Sequence, residues 1–349
     1  MVPPRARGVA HRHARLAAGA VRPGSPTPLF ARLETSSWEL AHRLAEGALL
    51  RAKISARRFA TAHGSLRVLD VGGPPDEPPL VFLHGYGSSA LGLLPLALSL
   101  DGTRRCLLVD LYDFAGDSRR TFSPFGMHPL RVAEHARSVV EMLEVAGVDT
   151  YDLYGVSLGA WIALHVAARA RAPRRMLLVC PLGTRRDVAE LRALARCAEE
   201  EGLASVAPRF VASPPPGRIS LAGALTRGML RVAASMGRTQ EFARALDEAD
   251  AVDGLLAGIR AEVRILAAEH DRLVGPAGAQ AILDGLPCAS GAWALGSSHA
   301  LPVESPGLVT LALRDLLGAP DDVAEAPGRW ARAGLHFGTL PKLRPMVCS

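Results

Sequence analysis

At 349 residues, 49% of them hydrophobic, the chain has room for one large domain or two ordinary ones and ample apolar material for a buried core. No apolar run reaches the roughly 18 residues of a membrane span, so a soluble protein without an integral membrane segment is expected. The net charge of +6 invites a nucleic-acid reading, but residues 1–60 hold eleven Lys/Arg against three Glu, and the remainder holds 29 basic against 31 acidic residues. A groove for phosphate backbones needs the reverse distribution, so no nucleic-acid partner is expected. The five cysteines (Cys106, Cys180, Cys197, Cys288, Cys348) have neither paired nor metal-type spacing, which points to a reducing, cytoplasmic setting.

Residues 1–33 contain six Arg and no acidic residue, with several Pro and Gly. They read as a dispensable tail, the alternative being an organelle-targeting segment; no apolar core of the secretory type follows. From Thr35 to about Ala56 the spacing of Trp38, Ala41, Ala45, Ala48, Leu49 and Ala52 predicts a helix, capped by Ser36 or Ser37. Arg58–Ala62 and Leu66–Val71 read as strands joined at His63-Gly64. Short apolar runs then recur at Leu80–Leu83, Cys106–Val109, Tyr151–Val156, Met176–Cys180, Val263–Ala267 and Ala292–Leu295. Helical patterns separate them at Val132–Val145, Ala160–Ala170 and Leu308–Leu317. Buried runs alternating with helices predict a mainly parallel sheet covered on both faces.

Between Thr184 and about Arg260 the alternation breaks. Helical patterns at Val188–Glu201, Leu221–Met236 and Glu241–Glu248 surround Pro214-Pro215-Pro216, the pattern of an inserted helical cap. From Pro320 onward no periodicity is visible, and a surface tail is expected. The expected organisation is a basic extension (1–57), a core in two parts (58–183 and 261–319), a cap (184–260) and a tail (320–349).

The motif Gly155-Val156-Ser157-Leu158-Gly159 lies between a predicted strand and a predicted helix. A serine there stands clear of the sheet on a tight turn, with glycines letting strand and helix approach and helix amides facing developing charge. Composition alone would produce such a pattern roughly 0.2 times in a chain of this length, so its placement carries the argument. Upstream, His84-Gly85-Tyr86-Gly87 follows another strand and offers a backbone amide, from Tyr86, to pair with that of Leu158 as an oxyanion hole. His299 and Asp271 each follow a predicted strand, and the order Ser157, Asp271, His299 suits nucleophile, orienting acid and base. His270 and Glu269 are the competing base and acid. His84 is expected to support the oxyanion loop, and Asp110 to brace neighbouring loops.

These features together resemble the α/β-hydrolase superfamily over about Arg58 to Leu317. Asp110–Ser118 is similar to that family's D-x-x-G-x-G-x-S turn, with one extra residue and the first glycine lost. The resemblance implies an α/β-hydrolase fold and a serine hydrolase acting on a hydrophobic ester or thioester through an acyl-serine intermediate. No His/Cys/Asp cluster has metal-type spacing, and neither a metal nor a cofactor is expected. Serine at the elbow argues against epoxide hydrolases and haloalkane dehalogenases, which use a carboxylate there. An acyltransferase or a carbon–carbon bond hydrolase would use the same residues, and a non-catalytic binding protein is the rival of another class. For the cap, Phe210, Met229, Leu230, Met236 and Phe242 are the apolar candidates to line a pocket.

Overall fold

The computed structural model describes residues 54–318, apart from 101, 122–127, 170, 202–205, 207–208, 210–236 and 274, together with 343–346. The predicted helix over 35–56, the predicted helix Leu221–Met236, and Phe210, Met229, Leu230 and Met236 therefore lie outside the described residues, except that Ser55 and Ala56 belong to the first strand.

In chain order the elements are β1 (Ser55–Thr61), β2 (Gly64–Val71), β3 (Leu80–Leu83), α1 (Ala90–Leu98), β4 (Cys106–Val109), β5 (Arg119–Arg120), α2 (Val132–Val145), β6 (Asp152–Val156), α3 (Leu158–Ala167) and β7 (Arg175–Val179). They continue with α4 (Arg185–Glu201), α5 (Gly237–Ala245), β8 (Glu262–Ala268), α6 (Pro276–Gly285), β9 (Ala289–Ala294), α7 (Leu301–Glu304), α8 (Pro306–Leu317) and β10 (Leu343–Met346). One sheet runs β1-β2-β4-β3-β6-β7-β8-β9-β10, with β5 paired to β2. The strands from β4 through β9 are mutually parallel, while β1, β2 and β10 pair antiparallel at the two sides.

The central strands look uniformly apolar because both faces are covered, yet period-two alternation still sorts their side chains. Val81 and Leu83 of β3 and Leu107 and Val109 of β4 pack on the side of α2, α3 and α6. Leu80, Phe82, Cys106 and Leu108 face α1 and α8.

The departures from expectation have local causes. α3 begins at Leu158, directly after the serine, and not at Ala160. α5 spans Gly237–Ala245, a few residues earlier than its apolar spacing predicts. Of the run Ala292–Leu295, Ala292–Ala294 proves to be the second half of β9 and Leu295 lies beyond it; the first half is Ala289-Ser290-Gly291, with little apolar signal. Leu343–Met346 is a strand where a tail without regular structure is expected. It pairs antiparallel with β9 and buries Met346; as the outermost strand it tolerates Pro345, which cannot donate to a ladder.

Candidate active site

The turn from β6 into α3 forces Ser157 to φ 54°, ψ −119°, a region costly for a side chain with a Cβ. The cost is accepted because the two flanking glycines close the turn. A Cβ on Gly159 would collide with the Leu83 carbonyl of β3, and one on Gly155 with the Gly159 carbonyl. The Ser157 side chain is thereby lifted off the carboxyl end of β6, and Leu158 opens α3, where first-turn amides lack intrahelical partners.

Asp271 follows β8 and His299 follows β9, the two strands next along this end of the sheet after β7. His299 Nε2 lies 2.7 Å from Ser157 Oγ and its Nδ1 2.6 Å from Asp271 Oδ2. All three side chains are buried. The Leu273 amide donates to Asp271 Oδ1 at 2.9 Å, so both carboxylate oxygens have assigned tasks. A carboxylate at Nδ1 fixes the tautomer in which Nε2 is free to accept a proton. The competing candidates stand elsewhere: His270 is exposed beside Glu269, and Glu269 accepts the Gly296 amide at 3.0 Å.

Across from this chain lies the Gly85-Tyr86-Gly87 loop, held by two residues behind it. The Leu111 amide donates to His84 Nε2 at 3.0 Å, which leaves the ring proton on Nδ1 to donate to the Gly85 carbonyl at 2.8 Å. Burial lowers the pKa of His84, which favours the neutral ring these two hydrogen bonds require. Asp110 accepts the Ala90 amide at 2.7 Å, the Asp117 amide at 3.2 Å and Arg67 at 3.1 Å, which ties α1 and the following loop to β2. That loop also settles the missing glycine of the Asp110–Ser118 turn. Asp113 occupies the position at φ 64°, a conformation that Asp tolerates better than most residues, and its carboxylate pairs with Arg120 at 2.8 Å.

Beside Tyr86 an aromatic wall is built from Phe114, Phe242 of α5 and His135 of α2, with ring centroids 5.5–6.4 Å apart. Sequence reasoning names Tyr86 and Phe242 as candidates but not Phe114, although it lies within the Asp110–Ser118 turn, or His135, which no local motif marks. It also misses Cys180. This residue follows β7 at φ 46°, and its Sγ, with one donor atom each of Asp271 and His299, forms a group within 4.8 Å. Burial, reinforced by the Asp271 charge, pushes the thiol's pKa well above its ordinary value, so Cys180 adds a neutral neighbour. The chain segments that hold these three donors are far apart in sequence, which is why no metal-type spacing is visible there.

The profile described as "Alpha/beta hydrolase family" matches residues 80–313, a span that holds every residue of this arrangement. The chain belongs to the alpha/beta hydrolase family. Solved structures of this fold resemble it at low identity. A membrane phospholipase A, described as a bacterial virulence factor, is 20% identical with a TM-score of 0.62, covering 83% of this chain and 92% of its own. The naproxen esterase of Bacillus subtilis is 16% identical with a TM-score of 0.59, covering 80% and 97%. An N-acyl homoserine lactone degrading enzyme is 19% identical with a TM-score of 0.63, covering 74% and 99%. Among the described residues of this family member, no helix is long and apolar enough to cross a membrane.

Proposed function

We propose that this alpha/beta hydrolase is a serine esterase acting on carboxylic esters or thioesters with a hydrophobic acyl or alcohol part. The observation that carries the reading is the unbroken hydrogen-bonded chain Ser157–His299–Asp271, at 2.7 and 2.6 Å, on a strained elbow at a helix N-terminus. Ser157 Oγ attacks the carbonyl carbon while His299 Nε2 takes its proton, and Asp271 stabilises the resulting imidazolium through Nδ1–H. The tetrahedral oxyanion lies against the Tyr86 and Leu158 amides. His299 then protonates the departing alcohol or thiol, activates a water against the acyl-serine, and the acid leaves with Ser157 restored.

Of the segment read as a cap, the part that bears on the pocket among the described residues is α5. Phe242, set against Tyr86 and Phe114, supports an apolar pocket beside the oxyanion loop. The names of the three matched structures, a phospholipase, an esterase and a lactone-degrading enzyme, support acyl chemistry as the reaction class.

The test is labelling with a fluorophosphonate, followed by a screen of acyl esters of graded chain length. The wild type is labelled at Ser157, and Ser157→Ala loses the label and essentially all esterase activity at unchanged fold. A purified S157A protein that keeps most of the wild-type activity would overturn the assignment.

A further inference from the structure

The loop carrying His299 is made of residues with little intrinsic preference for one conformation, Gly296-Ser297-Ser298, and Gly296 takes φ 74°. Yet its histidine must meet Ser157 and Asp271 at once. Two carboxylates outside the hydrogen-bonded chain hold it. On the Asp271 side, Glu269 Oε2 accepts the Gly296 amide at 3.0 Å, and the His270 amide donates to the Ser297 carbonyl at 2.9 Å. On the other side, Glu304 grips Ser298, the residue before His299, with both oxygens: Oε2 accepts its amide at 2.9 Å and Oε1 its hydroxyl at 2.6 Å. Ser298 Oγ in turn accepts the amide of Ala300, the residue after His299, at 3.3 Å.

We propose that Glu304 is a positioning residue, whose two-oxygen grip on Ser298 fixes the backbone on both sides of His299 and so the aim of its ring. The proposal rests on the reading of Ser157 as nucleophile and His299 as base. Ser298 presents two donors that point the same way, and a carboxylate is the side chain with two acceptors to meet them. With Glu304 removed, the amide and hydroxyl of Ser298, a residue 2% exposed, lose this acceptor, and the loop regains the freedom of its glycine and serines. An error near 1 Å at a general base can cost up to about a hundredfold in rate, so a loop residue that touches no substrate acquires leverage over the chemistry.

The experiment compares wild type, Glu304→Ala, Glu304→Gln and Ser298→Ala. It follows four readouts: the second-order rate of fluorophosphonate labelling at Ser157, kcat and KM with a short-chain ester, the thermal midpoint, and the far-downfield proton resonance of the His299–Asp271 hydrogen bond. E304A is expected to lower the labelling rate and kcat by about tenfold to a hundredfold, with KM little changed and the downfield resonance broadened or lost. E304Q recovers most of the rate, because its amide oxygen can accept the Ser298 amide while its nitrogen donates to Ser298 Oγ. S298A falls between, since it keeps the backbone half of the grip. A change in stability alone would move the midpoint of all variants and leave the rate of the folded fraction untouched. Wild type unlabelled at Ser157 would sink the serine-nucleophile reading. Labelled wild type with E304A equally fast, or with E304Q as slow as E304A, would sink the role of Glu304 while leaving that reading intact. Should E304A not fold, E304Q near wild type with S298A slow supports the role, and any other pattern in that pair overturns it.

Discussion

Among the described residues neither ring nitrogen of His135 finds a hydrogen-bond partner, although the residue is buried between Phe114 and Phe242. Burial, with smaller contributions from the charges of His84, Arg120 and His63, pushes its pKa down to about 3. In the unfolded chain a histidine binds a proton below about pH 6.5. Between those two values the unfolded state holds the extra proton, so acidification favours unfolding, and stability returns as the pH rises. The slope is about 1.4 kcal/mol per pH unit for each such group. His84 and His165, whose pKa values burial also lowers, act in the same direction. His135→Phe is therefore expected to raise stability at pH 7 by about 1–2 kcal/mol, since it removes two unsatisfied polar atoms. It should also flatten the fall in thermal midpoint between pH 6.5 and 4. Midpoints measured across that range check both; an unchanged acid slope in His135→Phe would show that another group carries it.

Among the elements, α5 is the one on which the proposed substrate pocket most depends. Phe242 sits where the aromatic wall meets the Gly85-Tyr86-Gly87 loop, touching Tyr86, Phe114 and His135. Phe242→Ala is expected to shift the preferred acyl chain length and to lower kcat/KM for the favoured ester by about tenfold. The rate of labelling by a small fluorophosphonate should change little, because Ser157, Asp271 and His299 are held by β6, β8 and β9. A set of short, medium and long esters decides it, and an unaltered profile would remove α5 from the pocket. Legibility in the sequence also divides by element. β3, β4, β6 and β8 announce themselves because strands covered on both faces are apolar runs. Helix α1 does not: Ala90–Leu98 is apolar on every side and carries Pro95, so no period shows. Helix α6, rich in Ala and Gly, and β10, with its proline, are hidden for similar reasons. At the candidate site, Ser157, Asp271 and His299 are legible as a group because a strand-end position and a turn motif mark them. Glu304, Cys180 and His135 are not, since their parts follow only from which segments the fold brings together.

The sheet as a whole has two unlike edges. Its carboxyl end gathers Ser157, Asp271 and His299, and its amino end gathers an arginine network around Asp152, the first residue of β6, which is fully buried. Arg175 donates to both of its oxygens at 3.3 and 2.8 Å and also to the Leu316 carbonyl of α8, while Arg174 reaches it at 2.9 Å. Asp152→Ala is expected to destabilise the protein by about 2 kcal/mol, a discounted figure because the arginines it would strand are partly exposed. Labelling of Ser157 in the folded protein should be unaffected. Chemical denaturation alongside the labelling rate separates the two; a slowed label would mean that the amino end communicates with the carboxyl end.

The described ends of the segment between β7 and β8 are fastened to each other. The Val252 amide donates to the Gly183 carbonyl at 2.9 Å, and the Arg185 amide to Asp253 at 2.9 Å. Within a residue or two of that seam, Trp161 and His165 of α3 both donate to the Asp250 carbonyl. A stretch stitched shut at its base is modular. Its ends are already together, so lengthening it costs only about 0.6 kcal/mol per doubling. The seam is thus a base on which a foreign segment could be grafted with the sheet left undisturbed, provided the residues that bind the core, Asp250 and Phe242 among them, are kept; one scaffold could acquire many substrate ranges in this way.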